Sequence, residues 1–322
     1  MPKTDTPATI VTEEVKKWLE IEDDLFPVMP LVVALANSID GEPVWLVIVA
    51  PPSSGKSDLL MGISQIEGVH TISKVTPNTF ASGMKSTAGG STPSLLTRLQ
   101  EQGKWLLVFK DLGTLLSLPP NYLNPILGQL REVYDGSLNA DYGTGVNVSW
   151  KGKMGFVAAA TPSFDQKHKL RVELGERFVV YRPFVPDPGK VAMKALLRGP
   201  DETKRREAIG WAYKIAYAKA LADWTAAKRD GNDYIAPVAY PAVAALGEFV
   251  AEARRPVDHD RGYYDSTYEV LPAEGPGRLL EVLKSLHRSA MVCFGQDLES
   301  ANRLVIRVAL DSVPGKRGRA LK

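Results

Sequence analysis

The residues best able to do chemistry stand together at Ala50-Pro51-Pro52-Ser53-Ser54-Gly55-Lys56-Ser57. They match G-x-x-x-x-G-K-[ST] with alanine in place of the first glycine, and a loop of this kind cradles phosphates. Its backbone N–H groups and a helix N-terminus face the β-phosphate, the Lys56 ammonium neutralises β/γ oxygens, and the Ser57 hydroxyl is a ligand for Mg²⁺. Pro52, Ser53, Ser54, Gly55, Lys56, Ser57 and Asp58 are therefore the candidate residues for binding ATP, with Ser57 also on the metal. The alternative is a serine-rich turn that happens to hold Gly-Lys-Ser; a strand before it and a helix after it weigh against that.

Three further positions fit the same chemistry. Trp105-Leu106-Leu107-Val108-Phe109-Lys110-Asp111 is an apolar strand ending in one carboxylate. Asp111 is the candidate second Mg²⁺ residue, its plain alternative being an acid that opens a loop; Glu132 and Asp135 are next in line for its role. The run Gly155–Ala160 ends in Thr161-Pro162, which puts a hydroxyl at the carboxyl edge where open α/β sheets bind ligands. Arg177 precedes another apolar run and suits charge stabilisation on a γ-phosphate, or equally an ion pair with Glu173 or Glu176.

These groups need elements to hold them. Val44–Ala50 is continuous, β-branched and uncharged, as a strand buried on both faces of a parallel sheet should be. His70–Val75, Trp105–Phe109 and Met154–Ala160 read alike, with a helix over Asn121–Tyr134 between them, so the spacing predicts a doubly wound α/β core. Val146, Val148 and Trp150 alternate beside Gly143-Thr144-Gly145 and predict an inserted antiparallel hairpin. Upstream, helices are expected from a Thr12 cap to Ile21 and over Met29–Ile39. After Pro186-Asp187-Pro188-Gly189 the chain turns alanine- and leucine-rich, with helices expected at Asp201–Arg229, Pro241–Arg254 and Pro276–Met291, and a loop over Arg255–Glu274. The expected organisation is a helical segment 1–40, a nucleotide-binding core 41–185, a helical lid 186–296 and a basic tail 297–322.

Composition excludes several classes. With 322 residues, 44% apolar and 24% charged, the chain can bury a real core. One cysteine, Cys293, makes no internal disulfide, and no apolar run approaches the roughly 20 residues that span a bilayer. The four histidines lack ligand spacing for structural zinc. No targeting run opens the sequence, so a cytoplasmic protein with no membrane partner is expected. A net charge of +2 does not by itself argue for nucleic acid, although Lys316–Lys322 carries a cluster of basic groups.

In order along the chain stand the P-loop, Val75-Thr76-Pro77-Asn78-Thr79-Phe80, the acid-ended strand, a helix, the hairpin, Ala-Ala-Ala-Thr-Pro, Gly-Glu-Arg-Phe and Pro276-Gly277-Arg278-Leu279. This order resembles the AAA+ ATPases, and within them the minichromosome-maintenance-like helicase branch found in phages and mobile elements. The resemblance covers 40–185 well and 270–322 loosely, where Ala309–Pro314 looks like the approach to a winged helix. It implies a P-loop NTPase three-layer parallel sheet with N-terminal helices and a C-terminal helical lid. It puts Thr161 in the sensor-one place, Arg177 as a finger into a neighbouring subunit's site, and Arg278 as the sensor-two arginine. It also implies a homo-oligomer, by family a hexamer, acting on DNA in replication. Two departures stand out: Lys110-Asp111 replaces the family's Asp-Glu, leaving one acid where two serve hydrolysis, and the hairpin tip lacks the DNA-contacting lysine, with Lys151 and Lys153 at its return.

The leading expectation is a ring-forming, ATP-hydrolysing motor of helicase type. A nucleotide-gated scaffold or helicase loader without hydrolysis is the alternative, favoured by Lys110. A small-molecule kinase needs the P-loop but neither hairpin nor neighbour-directed arginine.

Overall fold

The computed structural model describes residues 5–82, 94–143, 145–166, 177–197, 201–231, 240–255, 257–261, 266–270, 273 and 275–320. Glu173 and Glu176, named above as partners for Arg177, lie outside them.

Two helices come first, α1 (Pro7–Trp18) and α2 (Leu25–Ser38). The start of α1 corrects the expected Thr12 cap: Thr6 is the cap, its Oγ1 accepting from Thr9 N, because Pro7 fits a first turn that needs no N–H. Helix α2 begins four residues earlier than Met29, and every residue from Leu25 to Asn37 is buried. Next come β1 (Trp45–Val49), α3 (Lys56–Ile63), β2 (Val69–Ile72), α4 (Leu95–Glu101), β3 (Leu106–Phe109), α5 (Leu112–Leu116) and α6 (Pro120–Tyr134). A hairpin of β4 (Ser137–Asp141) and β5 (Asn147–Lys151) precedes β6 (Gly155–Ala160) and β7 (Phe178–Tyr181).

The five main strands form one sheet in the order β2-β3-β6-β1-β7, and every pair in it is parallel. Alternate residues go to opposite faces, which divides the core in two. Leu46, Ile48, Leu106, Val108, Val157, Ala159, Val179 and Tyr181 pack with α1, α2 and α3. Trp45, Val47, Val49, Leu107, Phe109, Phe156 and Phe178 pack with α4, α5, α6 and the hairpin. The result is the expected three layers, compatible with a P-loop NTPase-like fold. Asn37 ties helix to sheet: its carboxamide donates to Val33 O and Val44 O and accepts from Val44 N, with Gly155 close enough that a Cβ there would collide with it.

Beyond the sheet lie α7 (Pro188–Leu197), α8 (Glu202–Arg229), α9 (Tyr240–Ala253), α10 (Gly277–Cys293), α11 (Leu298–Asp311) and α12 (Gly315–Ala320). Helix α8 lies against α1 and α3, and α10 against α2, so these helices share the buried cluster of α1 and α2. The expected loop at Arg255–Glu274 is corrected: β8 (Val257–Arg261) and β9 (Ser266–Val270) pair antiparallel there. Val257 is the one apolar residue of β8, so no apolar alternation marks that strand, and the ribbon is defined by its backbone pairing with β9. At the far side of the sheet, Ser312 Oγ accepts from Val180 N at 2.8 Å and Asp311 accepts from Arg182 N at 2.6 Å.

Candidate nucleotide site

Between β1 and α3 the chain makes the phosphate loop. Ser53 and Gly55 both have left-handed backbones, φ 61° and 85°, which turn the loop back before the helix starts. Leu19, just past α1, presses on Gly55, where a Cβ would lie 2.9 Å from its Cδ1. The Lys56 side chain curls inward: Nζ donates to Ala50 O, Pro51 O and Ser54 Oγ at 2.5, 2.6 and 3.2 Å. Burial pushes its pKa below the ordinary lysine value, opposed by the charge of Asp111. The loop carbonyls thus hold the ammonium where phosphate oxygens would take over.

A cavity of about 980 Å³ opens over this loop at the carboxyl edge of the sheet. Pro52, Ser53, Ser54, Gly55, Lys56, Ser57, Asp58, Lys110, Asp111 and Thr161 all line it. Asp111 caps α5, one oxygen accepting from Gly113 N at 2.8 Å. Thr161 shares a hydrogen bond with Ser163, 2.8 Å between hydroxyls. Asp58 also takes up Arg205 of α8 at 3.0 Å, so it fixes α3 to α8 while facing the cavity. The donor set fits a nucleoside triphosphate: a lysine held ready, a helix N-terminus and two left-handed turns. Among the described residues no cluster of three or more His, Cys, Asp or Glu forms a ready-made metal cage. A Mg²⁺ would therefore be held by Ser57 and Asp111 with phosphate oxygens and water, the usual manner for this ion.

No protein-family model matches the chain, and no curated protein matches it. Two solved structures share features at low overall likeness. One is "The A form apo structure of NrS-1 C terminal region-CTR", with a TM-score of 0.36 and 16% identity, covering 67% of this chain and 46% of that one. The other is "SCCmec type IV Cch - active helicase", with 0.40 and 14%, covering 94% and 45%. The chain spans less than half the length of either. At these scores the likeness carries no functional weight, and the site itself carries the reading.

The two remaining candidates are elsewhere. Arg177 precedes Phe178, which is in register with Trp45 at the start of β1. The loop leaves the opposite end of β1, about five residues or ~16 Å along the strand. Arg177 pairs with Asp135 at 2.7 Å, its guanidinium 5.6 Å from the Tyr134 ring centre. Burial pushes the Tyr134 phenol up to about 12, so the ring is neutral beneath that cation. Arg278, at the start of α10, also approaches Asp135, at 3.8 Å. Both arginines thus meet at the amino edge, away from their own chain's loop.

Several residues of the site carry no sequence signal. Leu19 and Glu20 after α1, Val185 and Pro186 after β7, and Val191, Ala192, Lys194 and Ala195 of α7 wall the cavity. Arg205 acts through a partner 147 residues away. Asp135, next in line for the role of Asp111, and Glu132 do not line the cavity; Asp135 pairs with Arg177 instead. Lys153, placed with Lys151 at the hairpin's return, is half-buried against the end of α2, donating to Ala36 O and Ile39 O at 3.0 and 2.8 Å. Lys151 is exposed at the hairpin base. No described helix is long and apolar enough to cross a membrane.

Proposed function

We propose that the chain is an oligomeric, Mg²⁺-dependent ATPase of the AAA+ type that works on DNA as a helicase-like motor, as in replication of a phage or mobile element. The observation that carries this reading is the split between the two sheet edges. Loop, Lys56, Ser57, Asp111 and Thr161 share one cavity, while Arg177 and Arg278 sit together at the other edge. An arginine that stabilises charge on a transferring phosphoryl group is useless about 16 Å from its own loop, but it can complete a site on a second copy. Such a heterologous contact closes into a ring when the rotation between copies closes, and runs on as a filament when it does not.

Within one site the roles follow from chemistry. Lys56 exchanges loop carbonyls for β/γ oxygens, and backbone N–H groups at the start of α3 orient the phosphates. Mg²⁺, when bound, supplies neutralising charge between the phosphates. Asp111 orders water beside it, and Thr161 donates a hydrogen bond at the γ-phosphate. The exposed outer face of the hairpin carries Asn139, Asn147, Ser149 and Lys151, with Asp141 on the same face opposite Asn147, and so offers a nucleic-acid strand hydrogen bonds and one cation beside one carboxylate.

ATP turnover with and without single-stranded DNA, beside mass measurement with nucleotide, tests the reading. Turnover stimulated by DNA in a nucleotide-dependent oligomer is expected. Lys110 in the cavity favours one second reading, a nucleotide-gated scaffold or helicase loader. It predicts tight ATP binding and assembly without turnover.

A further inference from the structure

Lys56 and Lys110 both line the cavity over the loop, and they are held in opposite ways. Lys56 is buried, its ammonium on three loop acceptors. Lys110 is exposed, and among the described residues its ammonium has no ion pair or hydrogen bond. It stands one residue past β3, where Leu106 and Val108 pack on the side of α1, α2 and α3, and Leu107 and Phe109 on the other. That alternation, carried one residue on, sets Lys110 on the face where α3 begins. Asp111, next along, turns to Gly113 N and caps α5.

The acids of the same cavity leave little for a metal. Besides Asp111, with one oxygen committed to its cap, there are Asp58, which pairs with Arg205 at 3.0 Å, and Glu20. A divalent cation drawn to Asp111 shares the phosphates with an ammonium anchored one residue away, and like charges so placed compete for the same oxygens. An exposed ammonium without a protein partner gives up nothing but water when it turns to a phosphate, and the charge-assisted bond it then makes is one of the stronger kinds.

We propose that Lys110 is a second phosphate-binding cation, which carries in this chain part of the charge otherwise left to Mg²⁺, so that triphosphate binding leans less on the metal than turnover does. The assignment rests on the nucleotide-site reading above and deepens it. It divides the work of the cavity: Lys56 and Lys110 hold the phosphates, while Ser57 and Asp111 serve the metal. It also gives the lysine after β3 a task of its own, beyond the absence of an acid.

The test reads ATP affinity by calorimetry on the full chain, in excess Mg²⁺ and in excess EDTA, for wild type, Lys110→Ala, Lys110→Arg and Lys56→Ala. A thermal melt without nucleotide accompanies each. The ratio of the two dissociation constants, EDTA over Mg²⁺, measures how far binding leans on the metal. Lys110→Ala is expected to raise that ratio by about tenfold or more, chiefly by weakening binding in EDTA. Lys110→Arg should keep it near wild type, because the charge stays. Melting midpoints of both should also stay near wild type, since the side chain is exposed; Lys110→Gln replaces the alanine variant if that one does not fold. A ratio raised by less than about tenfold in Lys110→Ala, or an arginine variant that behaves as the alanine one does, overturns the assignment. The nucleotide site still stands in that event so long as Lys56→Ala abolishes binding. If wild type binds no ATP in either condition, or Lys56→Ala binds as well as wild type, the nucleotide-site reading falls and the role of Lys110 falls with it.

Discussion

The carboxyl and amino edges of one sheet are built by different means. At the carboxyl edge a short backbone segment does the work: eight consecutive residues make a turn, seat a lysine and open a helix. At the amino edge side chains far apart in sequence converge, with Arg177, Arg278 and Tyr134 gathered on Asp135. The first edge is preorganised for a ligand before it arrives, because Lys56 already has surrogate acceptors. The second is balanced only within the chain, and its outermost charge is the one least firmly held. On the proposed reading the loop defines a binding site alone, whereas the arginine cluster works against another surface.

Substitutions at each edge sharpen or break that contrast. Lys56→Ala has the largest expected effect, a loss of about a thousandfold or more in ATP affinity by calorimetry, equivalent to ~4 kcal/mol. Unchanged affinity would mean that the loop is not the binding site. Asp111→Asn should leave affinity near wild type while turnover falls at least about tenfold, or ~1.4 kcal/mol of barrier; equal losses in both would make it a binding residue only. Gly55→Ala forces a side chain onto a φ of 85° against Leu19, and a destabilisation of about 1–2 kcal/mol is expected in a thermal melt with ATP absent. A melt unchanged by that substitution would show that the left-handed turn at Gly55 and its contact with Leu19 do not hold the loop.

The smallest effect belongs to the amino edge. Burial pushes Lys153 down to about 8 from 10.5, with Asp40 and Glu42 pulling the other way. The folded chain then holds this proton less well than the unfolded one. Stability from this group rises between about pH 8 and 10.5 and is lost as pH falls through the folded value. Lys153→Met should flatten that part of a pH series of urea melts, and an unaltered slope would show that the group is not the source.

How much of this was legible in the sequence follows the same division. The P-loop, the acid-ended strand, the hairpin and the parallel core all announce themselves locally, through a fixed spacing or a buried run such as Val44–Ala50. Boundaries failed where two signals competed: Thr12 looks like a cap, but Thr6 with Pro7 caps earlier. The ribbon β8–β9 is not legible because β8, Val-Asp-His-Asp-Arg, carries no apolar alternation. The cavity walls from α7 and the end of α1 are invisible in sequence, since nothing in Val191 or Leu19 distinguishes a cavity lining from any apolar surface. Asp135 was visible as an acid, yet its meaning depends on Arg177 and Arg278 arriving from 42 and 143 residues away, by the numbering of the chain.

One detail of the fold bears on how copies meet. An outer strand with bare N–H groups invites any passing strand to extend the sheet, and such growth has no natural end. On β7 and just past it two of those groups, at Val180 and Arg182, are already taken by Ser312 and Asp311 at the end of α11. Backbone-to-backbone extension at that border is thereby discouraged from within the monomer. Any association on that side would fall to side chains, which can be read, tuned and reversed.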